Sequence, residues 1–135
     1  MPSSREAIVP AVWANFYEET HIPAAVLTGD TLRVTGHTGE TIDEVFSDDV
    51  VEQIRQVFRN LSATLSDGGA TWDDVVEINS FHVGLASQAV PLLVVAAEFL
   101  SDPFPAWTAV GVTELIYEEA LVEISCVAVI SSKED

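Results

Sequence analysis

Hydrophobic and polar positions alternate most regularly near the C-terminus. Leu121, Glu123, Ser125, Val127 and Val129 fall on one side of an extended chain, with Val122, Ile124, Cys126, Ala128 and Ile130 on the other. Both sets are mostly apolar, which predicts a strand from Leu121 to Ile130 covered on both faces. An extended run from Trp107 to Thr113 precedes it across a short acidic loop, so the two strands are candidates for an antiparallel pair. Glu123 stands out in this setting. A carboxylate between Val122 and Ile124 belongs at a subunit seam or in a pocket, because burying it unpaired is costly.

Other periodicities supply the remaining elements. Val50, Ile54, Phe58, Leu61 and Leu65 recur at helical spacing, with Ser47 as the expected N-cap, Asp48 and Asp49 in the first turn and Asp67-Gly68-Gly69 as the stop. Ala24–Thr28 and Thr31–Thr35 flank Gly29-Asp30 and predict a hairpin. A strand is expected over Val75–Gly84. A very apolar helix follows over Gln88–Leu100, with Pro91 in its first turn. A looser stripe of Ile8, Val12, Trp13 and Phe16 predicts a helix over residues 5–20, weakened by Pro10. Strands interleaved with helices imply an α+β layered domain spanning residues 1–135, with a mixed sheet and helices packed on one face.

Composition narrows the function classes. The 135 residues hold 22 Asp plus Glu against 5 Lys plus Arg, a formal charge of −17. Such a surface repels phosphate backbones and anionic lipid, so neither nucleic acid nor membrane is an expected partner. The longest apolar run, Ala89–Ala97, is too short to span a bilayer, and the N-terminus lacks a signal-peptide core. The lone Cys126 cannot form an intrachain disulfide, which fits a cytoplasmic location, and reads as a small buried hydrophobe. No dinucleotide fingerprint, phosphate loop, paired-cysteine motif or Ser-His-Asp constellation occurs, and neither a cofactor nor a metal is expected. His82 shares a strand face with Ser80 and Ile78 and reads as a structural residue.

Several segments resemble one family in order and spacing. Phe104-Pro105-Ala106, Val122-Glu123-Ile124, Gly29-Asp30, Thr35-Gly36-His37 and Asn60 with Gly68-Gly69 resemble the signature of the Rid family, the YjgF-like enamine/imine deaminases also labelled endoribonuclease L-PSP. The resemblance covers about Pro23 to Ile130 and leaves residues 1–22 as a divergent helical segment. It implies a chorismate-mutase-like fold and a homotrimer with clefts between subunits that take a small molecule. Glu123 matches the position thought to position or activate water. His37 stands where glutamine is common and offers an acid–base group at the cleft mouth. Thr35, Gly36, Trp107 and Ala109 match ligand-contacting positions.

Departures from the family pattern matter as much. Trp107 occupies the place of the arginine that pairs with a 2-imino acid carboxylate, and indole offers one N–H and no charge. Pro91-Leu92-Leu93 replaces a ligand-touching asparagine region with apolar residues, and Ala109 replaces a frequent cysteine. Arg33 is a substitute guanidinium only if its strand faces the cleft. The expected function is hydrolytic deamination of an enamine- or imine-type metabolite other than the standard 2-imino acids, with Glu123 and His37 as catalytic groups. The alternative is a non-enzymatic small-molecule-binding or regulatory trimer. Trp107 reads either as a core or interface residue or as an aromatic wall of the cleft; in the second reading Trp107 and Glu123 are expected close together on neighbouring strands, so that an uncharged or cationic ligand stacks on the indole and meets the carboxylate.

Overall fold

The structure, a computed structural model, describes residues 4–131. Six strands form one sheet: β1 (Glu6–Ile8), β2 (Ala25–Thr28), β3 (Thr31–Thr38), β4 (Val75–His82), β5 (Ala106–Gly111) and β6 (Val122–Val129). Their spatial order is β1-β2-β3-β6-β4-β5. Only the β4–β5 pair is parallel. Three helices, α1 (Ala14–Thr20), α2 (Val50–Asp67) and α3 (Leu85–Ala96), complete an α+β protein with a mixed sheet, as the periodicities imply.

The alternation in β6 decides which face is covered. Val122, Ile124, Cys126 and Ala128 are buried, while Glu123, Ser125 and Val127 are half-buried. The buried set meets Ile54, Val57, Phe58, Leu61 and Leu65 of α2 and Leu92, Val95 and Ala96 of α3 in one core. The opposite face carries Val26, Phe81, Val127 and Val110 and stays partly open. The double coverage expected for β6 is therefore met on one side only within the chain. Cys126 lies in the core, where burial pushes its thiol up to about 12, so it behaves as a hydrophobe.

The segment expected as one helix over residues 5–20 is divided. Pro10 lacks an N–H and adopts extended backbone, so the chain first pairs as β1 with β2 and then turns through a 3₁₀ turn at Ala11–Trp13 into α1. The N-cap of α2 is Asp49, whose carboxylate accepts from the Val51 N–H at 3.0 Å. Ser47 instead accepts from the Asp49 N–H. α3 begins earlier than its apolar run, after Gly84 at φ 88°, so Pro91 lies inside the helix rather than in its first turn. The hairpin at Gly29-Asp30 is present, with Gly29 at φ 61°, and β3 continues past Thr35 through a register shift between Val34 and His37.

One expectation about strand neighbours is overturned. β5 does not pair with β6, because β4 lies between them and runs parallel to β5. A connection as short as residues 112–121 reads as a hairpin in sequence, but the central strand position is already filled by β4. Among the described residues no helix is long and apolar enough to cross a membrane.

Candidate functional site

Glu123 lies on the open side of β6, opposite Thr38 in register. Its carboxylate packs directly against Gly36. A Cβ at position 36 would overlap the Glu123 carboxylate oxygen and sit 2.8 Å from its Cδ. Glycine at 36 is thus a space requirement, and β3 supplies it at the register shift beside Thr35. Thr35 is pinned there, its hydroxyl donating to the Pro23 carbonyl at 2.8 Å and its N–H to the Ala24 carbonyl. Burial pushes the Glu123 carboxyl above the usual range, and the nearby Glu40 carboxylate pushes it the same way. Glu40 itself accepts the Thr38 hydroxyl at 2.6 Å.

His37 sits beneath this pair rather than at the mouth of a cleft, with 2 % of its surface exposed. Its Nδ1–H donates to the Thr35 carbonyl at 2.6 Å, and its Nε2 accepts the Thr64 hydroxyl at 2.8 Å, the tautomer following from the carbonyl partner. Burial pushes its pKa down to about 4. With both nitrogens engaged and the ring neutral, its geometry is that of a strut for the Thr35–Gly36 backbone. Trp13 covers it, with ring centroids 4.6 Å apart, and donates its indole N–H to the Ile22 carbonyl.

Around these residues opens a cavity of about 1040 Å³. Thr35, Gly36, His37 and Glu123 line it together, as expected. Its walls come from α1, the loop following β3, α2 and the loop between β5 and β6. Two amides, the half-buried Asn60 and the buried Gln53, hold these loops. Asn60 donates to the Thr38 and Glu40 carbonyls. Gln53 donates to the Ser47 and Glu119 carbonyls and accepts from the Leu121 N–H. Sequence reasoning singled out Asn60 by resemblance and missed Gln53, whose place on the apolar face of α2 was its one visible signal.

Trp107 and Ala109 do not line this cavity. Trp107 faces the helix layer, in register with Ile78, and packs toward Phe58 with centroids 6.5 Å apart. Its indole N–H donates to the Ser80 hydroxyl at 2.9 Å. Ser80 and Gln88 in turn hold His82, which burial keeps neutral and whose two nitrogens are both bonded, so its structural reading stands. Trp107 and Glu123 are therefore separated by β4 and point to opposite faces of the sheet, contrary to the expectation that they meet on neighbouring strands. Ala109 is exposed on the same edge strand. Arg33 lies exposed on the open face and donates to Thr28, away from the cavity lining. No cluster of three metal-ligating side chains occurs among the described residues.

Comparison with known proteins agrees with this architecture. The sequence profile of the endoribonuclease L-PSP family matches residues 9–130. The chain is 40 % identical over 112 residues to the RutC family protein YjgH of Escherichia coli, covering 82 % of this chain and 86 % of that protein. It is 33 % identical over 108 residues to a 2-iminobutanoate/2-iminopropanoate deaminase of Dermatophagoides farinae, covering 78 % and 83 % respectively. A solved structure of the protein YJGH superposes with a TM-score of 0.86 at 37 % identity, over 97 % of this chain and 100 % of that one. The chain belongs to the endoribonuclease L-PSP family, the YjgF/Rid proteins, and shares their fold.

Proposed function

We propose that the cavity around Glu123 is the working site and that it hydrolyses an enamine- or imine-type metabolite, releasing ammonia, with the standard 2-imino acids excluded as good substrates. The observation that carries this is the Glu123 carboxylate seated against Gly36 in a half-buried position, held above its usual pKa by burial. A raised pKa makes a carboxylate a better proton acceptor and so suits it to shuttle protons. As water attacks the imine carbon, its oxygen forms the new C–O bond and Glu123 takes its proton. The protonated Glu123 gives that proton to nitrogen; the regenerated carboxylate then takes the hydroxyl proton of the carbinolamine as the carbonyl forms and the C–N bond breaks, and it passes this second proton to the departing nitrogen, so that a carbonyl and ammonia leave. His37 contributes by fixing the backbone that seats the carboxylate.

Exclusion of 2-imino acids rests on charge. Residue 107 is a tryptophan with its one donor committed to Ser80. The cavity lining holds no lysine or arginine. The Dermatophagoides farinae relative is named for 2-imino acid substrates, and among the described residues the cavity lining offers their carboxylate no cationic anchor.

Assembly as a homotrimer accompanies the proposal. The partly open sheet face with Val26, Phe81, Val127 and Val110 supports it, since a protomer leaves that apolar surface half covered. A neighbouring copy would then close the cavity, and the exposed β5 edge carrying Ala109 is available to contribute. Light scattering at micromolar concentration checks the trimer; a monomer contradicts it. Function is tested by generating an imine in situ with an amine oxidase and following ammonia release. Wild-type protein is expected to accelerate release by about tenfold or more, and Glu123→Gln to abolish the acceleration. Absence of any acceleration favours the non-enzymatic binding trimer.

A further inference from the structure

The cavity walls combine two features that sequence periodicity did not connect. Trp13 and Phe16 form an edge-on pair with centroids 5.2 Å apart, and Phe46 and Tyr117 a tilted pair 5.8 Å apart. All four line the same space, although they come from three separate segments of the chain. Glu18, Glu19, Glu40, Glu44, Glu119 and Glu123 line it with them. None of the six is in an ion pair; the salt bridges among the described residues use Glu52 and Glu98 instead. Three of them converge on Tyr117, whose hydroxyl is held above its usual pKa first by burial and then by Glu40, Glu44 and Glu19. Ile42 and Ile116, 77 % and 71 % exposed, stand at the rim.

Uncompensated carboxylates around aromatic faces set the sign of the ligand. An anion entering would meet repulsion from the glutamates and from the negative faces of the rings. A cation is attracted by both, and its apolar body gains contact with Ile42, Ile116 and the ring faces. A neighbouring copy changes the sign little, since the whole chain holds only Arg5, Arg33, Arg55, Arg59 and Lys133 as basic residues. Arg55 and Arg59 are already engaged by Glu52 and Glu98.

We infer that the site takes small organic cations with an apolar body, and that its substrate is the protonated imine of a primary amine lacking a carboxylate. This rests on the reading of the Glu123 cavity as the working site. A positive charge between Glu40 and Glu123 relieves their mutual repulsion. It also makes the imine carbon more electrophile-like, so the same charge that selects the ligand activates it for attack by water.

The test separates ligand class from turnover. Benzyltrimethylammonium, benzyl alcohol and phenylacetate present the same ring with positive, neutral and negative charge, and none of them can be hydrolysed. Calorimetric titration of the wild-type protein is expected to show the cation binding about tenfold or more tighter than the alcohol, with no measurable binding of phenylacetate. Raising salt from about 20 to about 500 mM is expected to weaken the cation severalfold. The double variant Glu44→Gln/Glu119→Gln is expected to weaken it further while leaving the melting temperature near that of the wild type. Equal affinity for the three compounds, or tighter binding of phenylacetate, overturns the inference. Cation binding without any imine turnover leaves the ligand class standing and removes the hydrolytic reading. Turnover without cation selectivity does the reverse.

Discussion

Replacing Gly36 by alanine separates the seat of Glu123 from the stability of the fold. The new Cβ overlaps the Glu123 carboxylate, with Cδ at 2.8 Å and Cγ at 3.0 Å. The obstacle is the far end of a flexible side chain, so it rotates away at an off-rotamer cost of about 0.5–1.5 kcal/mol. Loss of glycine freedom in the unfolded chain returns about 0.4–1 kcal/mol, leaving a net change below about 1 kcal/mol. Gly68→Ala is the control. There the Cβ meets Leu32 Cδ2 at 2.6 Å and Cδ1 at 2.9 Å, and Leu32 is fully buried in the core. Overpacking at such a place costs about 1–3 kcal/mol. For a chain of this size each kcal/mol moves the melting temperature by about 3–5 °C. Gly36→Ala is therefore expected to melt within about 4 °C of the wild type, and Gly68→Ala to fall by about 3–15 °C. Activity runs the other way. Displacing the carboxylate is expected to cost Gly36→Ala on the order of 10²-fold in imine hydrolysis, while folded Gly68→Ala keeps its rate. Thermal melts and ammonia release on the same preparations decide it. A Gly36→Ala protein that hydrolyses at the wild-type rate, or that is destabilised like Gly68→Ala, refutes the reasoning.

Three further outcomes follow from the charges. His37 has a folded pKa pushed down to about 4 from 6.5, so the folded state holds it neutral; its contribution is intact above pH 6.5 and lost as pH falls toward 4. That shift corresponds to about 3 kcal/mol, and urea titrations across this window are expected to show a shallower acid slope in His37→Gln. Glu123 has the opposite sign: its folded pKa is raised above 4.5, so ionising it costs stability that is retained below pH 4.5 and lost as pH rises through the folded value. Glu123→Gln is accordingly expected to be more stable than the wild type at neutral pH, with the advantage vanishing below pH 4.5; an equal or lower stability at neutral pH contradicts the unpaired, desolvated carboxylate. Single-stranded RNA is expected not to bind at physiological salt, because a charge of −17 with five basic residues offers no cluster to release counterions, and a salt-sensitive micromolar complex in a filter assay would speak against it.

What the sequence disclosed follows the range of the interactions. β6 and α2 were legible because their periods of 2 and 3.6 mark a strand and a one-faced helix, though β6 read as covered on both faces and is covered on one, and the β2–β3 hairpin because Gly29 carries the turn locally. The split of residues 5–20 was not, since β1 is three residues long and exists by pairing with β2, a contact no local pattern encodes. Pro10 was the one warning. The seat of Glu123 beside Thr35 and Gly36 came through the family resemblance, and the structure brings the three together. Trp107 was misplaced because strand order is invisible to periodicity: the short link from β5 to β6 suggested a hairpin, and β4 occupies the place between. The aromatic and acidic walls were missed for a related reason. Trp13 and Phe16 belong in sequence to a loose helical stripe, and no periodicity singles out Phe46, Tyr117 or the glutamates of the loops; the tertiary fold gathers them.

The central claim is that Glu123 drives hydrolysis of imines that carry no carboxylate. Ammonia release measured side by side on an imine made from a primary amine and on a 2-imino acid made from an amino acid, with wild-type and Glu123→Gln protein, tests it most directly. The account predicts acceleration of the first imine by about tenfold or more, little or none of the second, and loss of the effect in Glu123→Gln. Faster turnover of the 2-imino acid, or undiminished turnover in Glu123→Gln, would contradict it.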